Sequence, residues 1–134
     1  MASILEIEGI GRVNAAKLRD AGVRSTTALL NRAGSAKGRK ELASTTGIDE
    51  SVILQWVNHA DLFRVRGIGS EYSDLLEAAG VDTIPELKQR NAGALYEALV
   101  ATNKQKRLVR KLPTAKQVAA WIKVAKSLSR IVKY

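Results

Sequence analysis

Apolar residues along this chain of 134 residues recur at intervals of three and four, and no segment alternates apolar and polar residues at a period of two. The spacing is clearest near the end. There Val118, Trp121, Ile122, Ala125 and Leu128 fall on one side of a helix, with Lys116, Lys123, Lys126, Arg130 and Lys133 on the other. Ile53, Trp56, Val57 and Ala60 form a similar face earlier in the chain. The pattern predicts helices throughout, nine or ten of them and short, with no sheet.

Stop and start signals agree with this spacing. A first helix from about Arg12 to Ala21 is expected to close on Gly22, and another, with Ser70 as N-cap, to run to Ala79 and close on Gly80. Ser25 or Thr26 caps a short helix ending near Gly34. Ser35 caps the next, which Gly47 terminates, and Asp49 caps one reaching about Leu62. Thr83 with Glu86, and Thr114 with Gln117, have the spacing of capping boxes. Pro113 must interrupt any helix that precedes it.

Residues 7–29 and 65–87 align at an offset of 58. Gly9/Gly67, Ile10/Ile68, Gly11/Gly69, Leu18/Leu76, Ala21/Ala79, Gly22/Gly80, Val23/Val81 and Leu29/Leu87 are then identical. Trp56 and Trp121 stand in similar contexts 65 residues apart, which places about seven extra residues in the second copy, in the Lys-rich stretch near 103–113. The expected fold is all-α: a pseudo-symmetric bundle of short helices built from two repeats, residues 1–62 and 63–134.

Glu8-Gly9-Ile10-Gly11-Arg12 and Arg66-Gly67-Ile68-Gly69-Ser70, each followed by a helix, resemble the hairpin of helix-hairpin-helix proteins. The longer pattern of Gly-Ile-Gly, a helix, Ala-Gly-Val and a capped leucine is similar to the carboxy-terminal domain of the bacterial RNA polymerase alpha subunit and to five-helix hairpin modules of repair proteins. The run from Arg107 to Ile122, taken with the repeat, resembles the bacterial family of unknown function numbered 4332. The resemblance implies two tandem hairpins over nearly the whole chain.

Two glycines around one apolar residue let the backbone turn sharply while the isoleucine anchors the turn. The amides of the turn and of the following helix then point outward at the positive end of a helix dipole, which suits a phosphate. The same three residues also serve as a plain interhelical corner. In the first turn Gly9, Ile10 and Gly11 are accompanied by Arg12, Asn14 and Lys17. In the second, Gly67, Ile68, Gly69 and Ser70 lead into a helix carrying Glu71, Asp74 and Glu77, which would repel a phosphate. Hairpins of the resembled DNA-binding kind often place a cation two residues after the second glycine; Val13 and Glu71 stand there instead.

Charge changes the picture most. The net charge is +9, yet residues 1–97 hold 12 Lys/Arg against 13 Asp/Glu, while residues 98–134 hold ten Lys/Arg and no acid. Lys104, Lys106, Arg107, Arg110 and Lys111, with Lys116, Lys123 and Lys126, are therefore expected to meet a polyanion. A charge run is also often no more than a solvated helix face.

Chemistry fares poorly by comparison. His59 is the sole histidine, there is no cysteine, and His59 is expected at a surface or helix seam, so no metal site is expected. Glu6/Glu8 and Asp49/Glu50 read as a lead-in and a cap, and the serines and threonines as caps. Trp56 and Trp121 read as core rather than base-stacking platforms, and Tyr72 as partly exposed. No enzyme, cofactor or small-molecule substrate is expected. Neither a secretory leader pattern nor a membrane-spanning apolar run is present. The expected role is non-catalytic nucleic-acid binding without sequence specificity, through the first hairpin and the basic C-terminal face, in a bacterial cytoplasm with the nucleoid as one location. The alternative is a protein-interaction adaptor with purely structural hairpins whose basic face docks an acidic partner.

Overall fold

Helix starts in this chain are set by short polar side chains that accept from backbone amides left free by the first turn. In the computed structural model, which describes residues 2–134, a 3-10 turn spans Ile4–Glu6 and eight α-helices follow. They are α1 (Gly11–Asp20), α2 (Thr26–Ala33), α3 (Ala36–Thr46), α4 (Glu50–Leu62), α5 (Ser70–Ala78), α6 (Ile84–Gln89), α7 (Ala92–Lys106) and α8 (Ala115–Ser127). Among the described residues the only β pairing is a single bridge between Ser3 and Ser25.

Ser25, Ser35, Thr83, Asn91 and Thr114 cap α2, α3, α6, α7 and α8, each accepting from the amide three residues on. At Thr114 the reciprocal bond from Gln117 completes the box. Asp49 sits just before α4 and accepts from the Ser51 amide and hydroxyl, both at 2.8 Å. One cap differs from expectation. Gly69, not Ser70, holds the N-cap position of α5, and Ser70 is already helical.

The chain forms two compact units, one reaching to Asp61 and taking in Arg130–Tyr134, the other Leu62–Ser129. In the first, α2 packs on α3 and the 3-10 turn on α1, and Leu18, Leu29, Leu42, Ile53 and Trp56 are buried. In the second, α8 packs on α6 and α7, and α7 on α5. Its core gathers Leu75, Leu76, Leu87, Leu95, Leu99, Val118, Trp121 and Ile122.

Assigning Arg130–Tyr134 to the first unit departs from the expected division at 63–134, and from placing Arg130 and Lys133 on the last helix. That helix stops at Ser127, and the remaining segment docks on the first unit through Arg39. Arg39 looks like a surface cation in Ala36-Lys-Gly-Arg-Lys-Glu41 but is 6% exposed. Its Nη1 donates to the carbonyls of Ala33 (3.1 Å) and Gly34 (3.0 Å), and its Nη2 to that of Lys133 (2.7 Å). The Lys133 amide returns a bond to Gly34 O at 2.8 Å, Val132 is buried, and the Tyr134 hydroxyl donates to Asn58 Oδ1 at 2.8 Å. Of the two places expected for His59, a surface or a helix seam, the surface does not hold: His59 is buried, and so are Asn58 and Asp61.

Two outcomes follow for the first unit. Arg39→Met removes the guanidinium bonds to three carbonyls and should lower stability by about 2–4 kcal/mol, measured by urea unfolding. Deleting residues 130–134 should cost a similar amount, and the two losses should not add, because they remove one shared set of bonds. At Asp49, the hydroxyl bond from Ser51 and then its amide bond hold the carboxyl below its ordinary pKa. A depressed folded-state pKa stabilises above the unfolded value and is lost as pH falls through the folded one. Carbon-detected titration should therefore find Asp49 below the ordinary aspartate midpoint, and Ser51→Ala should move it up.

Candidate nucleic-acid interface

The two Gly-Ile-Gly turns begin alike. Gly9 and Gly67 take φ of +89° and +95°, a region L side chains rarely adopt, and Ile10 and Ile68 sink to 2% and 4% exposure. The Ile10 and Ile68 amides donate back to Ile7 O (3.4 Å) and Val65 O (3.1 Å). The second glycines differ: Gly11 is left-handed at φ +67°, whereas Gly69 is extended at φ −116°. The helices that follow also end alike. Val23 N and Val81 N donate at 2.8 Å to Leu18 O and Leu76 O, while Gly22 N and Gly80 N donate to Arg19 O and Glu77 O, the double bond of a Schellman close.

Neither α1 nor α5 has a side-chain cap, in contrast to α2, α3, α6, α7 and α8. The sequence puts Ile10 and Gly69 where the others carry Ser, Thr or Asn, so the N-cap residue bonds none of the first-turn amides. An oxyanion can meet them.

Side chains around the first turn offer little charge. Arg12 and Lys17 are exposed and Asn14 is half-buried, but the apolar Val13 is 71% exposed and Leu5, in the 3-10 turn, 46%. The second turn is more closely built. A Cβ on Gly67 would lie 3.1 Å from Trp121 Nε1, so the turn rests directly on the indole of α8. The Tyr72 ring lies 5.3 Å from that of Trp121, tilted by 51°, and its hydroxyl donates to Lys111 O at 3.0 Å. The partly exposed Tyr72 thus fastens the turn to the basic loop.

That loop connects α7 to α8 without helical structure. α7 ends at Lys106 on Arg107, the one non-glycine residue at positive φ among the described residues (φ +50°), rather than running on towards Pro113. Asn103 then mimics a strand partner: its Nδ2 donates to Val109 O (3.1 Å) and its Oδ1 accepts from Val109 N (3.0 Å). Val109 and Pro113 are buried, so Arg107, Arg110 and Lys111 project outward. On α8, Lys116, Lys123 and Lys126 lie opposite the buried Val118, Trp121, Ile122 and Ala125, as about 100° per residue requires. All eight cations from Lys104 to Lys126 are exposed, and none has an ion-pair partner among the described residues.

The structure therefore joins the basic segment to the second turn, within one unit, whereas the sequence paired it with the first. Asn103, Tyr72 and Val109, which shape the loop, carry no periodic or motif signal. Exposed Arg66, immediately before Gly67, adds a cation the charge tally passed over. Glu71 is exposed on the first turn of α5, which leaves the anticipated repulsion in place. Among the described residues no group of three or more His, Cys, Asp or Glu is placed to hold a metal ion, and no helix is long and apolar enough to cross a membrane.

The two turns give unequal responses to one substitution. Gly9→Ala meets nothing within 4 Å and should lose only the conformational term, about 1–2 kcal/mol. Gly67→Ala must also push back an indole held by Tyr72, and should lose about 1 kcal/mol more. Urea midpoints, with near-ultraviolet circular dichroism for the tryptophans, decide this.

No solved structure matches the chain. Residues 8–128, which take in both turns, the basic loop and all of α8, match the family described as a domain of unknown function, DUF4332, and the protein belongs to that family.

Proposed function

We propose that the protein binds the backbone of nucleic acid without reading sequence, and that the second unit makes the main contact. The observation that carries this is the set of eight exposed, unpaired cations from Lys104 to Lys126. The second unit holds 12 Lys/Arg against six Asp/Glu, and every one of those acids precedes Lys104. Ordinary helical surfaces intersperse both signs. Like charges held close on a folded scaffold repel one another, and a polyanion relieves that repulsion while releasing its own counterions.

Arg107 supports the reading independently. Its left-handed backbone would be less strained with glycine, so the side chain is kept at some cost in stability. Tyr72, Asn103 and buried Val109 hold the loop in one shape, so its cations need no ordering on binding. Contacts to phosphate carry no sequence information, so unrelated sequences bind equally. The first turn suits a different role. Val13 and Leu5 give it an exposed apolar flank, which favours a protein contact there in place of a phosphate.

Fluorescence anisotropy with labelled duplexes of unrelated sequence tests this. The expected result is equal affinity across sequences, falling about three decades between 50 and 200 mM salt for about six phosphate contacts. Replacing Lys104, Arg107, Arg110 and Lys111 should lower the salt slope by about one per cation removed. Arg107→Gly relieves backbone strain and should weaken binding without loss of thermal stability. Absence of binding at about 50 mM salt defeats the reading.

A further inference from the structure

We propose that Leu108, in the basic loop, is a wedge that enters the base stack, so that the protein selects duplexes with an opened base step. The inference rests on the nucleic-acid reading and adds to it a substrate class defined by shape. Among the described residues of the second unit, Leu108 is the one large apolar side chain that is exposed, at 40%. It stands where cations are densest in the chain. Lys104, Lys106 and Arg107 precede it, Arg110 and Lys111 follow, and all five are exposed. Leu112, four residues on, packs against the core instead.

The loop presents this leucine on a fixed backbone. Asn103 bonds both the amide and the carbonyl of Val109, at 3.0 and 3.1 Å, and the Val109 side chain is buried. Its two neighbours, Leu108 and Arg110, are both exposed. Beyond them the Lys111 carbonyl accepts from Tyr72 at 3.0 Å, and Pro113 is buried. Arg107, on the other side of Leu108, leaves α7 with a left-handed backbone. A side chain held between such anchors needs no further ordering before it is inserted.

The ligand chemistry follows from an apolar side chain set among cations. Leucine against a phosphate gains no apolar burial and strips water from the anion. The apolar surface within a duplex is the faces of its stacked bases. A wedge reaches these by parting one step while neighbouring cations hold the backbones. Parting an intact step costs stacking, whereas a bulge has already lost part of it. Leu108 therefore favours a disrupted step over an intact one without reading which bases form it. Mixed-sequence duplexes share pliable pyrimidine–purine steps, so their affinities stay alike.

The full chain is titrated by fluorescence anisotropy with an intact duplex and with the same duplex carrying one bulged base. A 2-aminopurine beside the bulge reports stacking at that step. The bulged duplex should bind about tenfold more tightly, with a rise in 2-aminopurine emission. Leu108→Ala should reduce the preference to about twofold or less and abolish the rise. Its salt slope should stay as it was, because no cation is removed. Leu108→Phe should keep both the preference and the rise, and thermal melting checks the fold of each variant. Duplex binding without preference for the bulge, or a preference that survives Leu108→Ala, overturns the wedge and leaves the nucleic-acid reading standing. No binding to either duplex at about 50 mM salt removes both. Binding to phosphatidylserine vesicles that depends on Leu108 would then assign the loop to a lipid surface.

Discussion

The close approach of the Gly67 turn to the Trp121 indole, which leaves too little room for a Cβ, is the constraint on which the second unit depends. It is closer than any side chain at position 67 would comfortably permit, and it sets a backbone turn directly on the apolar stripe of α8. Because α6 and α7 also pack on α8, the helix that carries three of the cations is the central member of its own core. Tyr72 extends the arrangement by one step, from the indole to the carbonyl of Lys111. The charged loop is therefore part of the packed structure, in contrast to a basic tail appended to a neutral body.

What could be read in the sequence was whatever is decided locally. Caps at Ser25, Ser35, Asp49 and Thr114 and the left-handed close at Gly47 depend on residues within a few positions of one another, and these were legible. So was the burial of Trp56 and Trp121, which follows from helical spacing. Ser70 misled because serine is a better cap than glycine, while the extended Gly69 had already taken the position. The end of α8 was misplaced for a related reason. Apolar and basic residues continue at suitable spacing past Ser127, but the chain there serves another partner, Arg39, some ninety residues earlier in sequence. A guanidinium satisfied by three carbonyls leaves no trace in composition, because carbonyls belong to every residue.

The candidate site divides in the same way. Its charge was plain from the sequence, since an acid-free stretch of this length stands out without knowledge of the fold. Its neighbour was not. Arg12 and Lys17 make the first turn the better companion for the basic segment on sequence alone, and the acids of α5 count against the other turn. The structure couples the segment to that more acidic turn through a tyrosine and an asparagine whose contacts span 39 and six residues. Glu71, Asp74 and Glu77 thus share one unit with the acid-free stretch.

The excursion of the chain between Asp61 and Arg130 has a consequence for synthesis. Arg64 donates to Ser129 O at 2.9 Å, so the second unit begins and ends at one place and is complete within a continuous stretch. The first unit is not. Its Arg39 guanidinium waits for the carbonyl of Lys133, which is made 94 residues later, after α1–α4. Domains ordinarily mature in the order in which they are made. Here the later-made unit can finish first, and Arg39 stays short of one of its three carbonyls until Lys133 has been made.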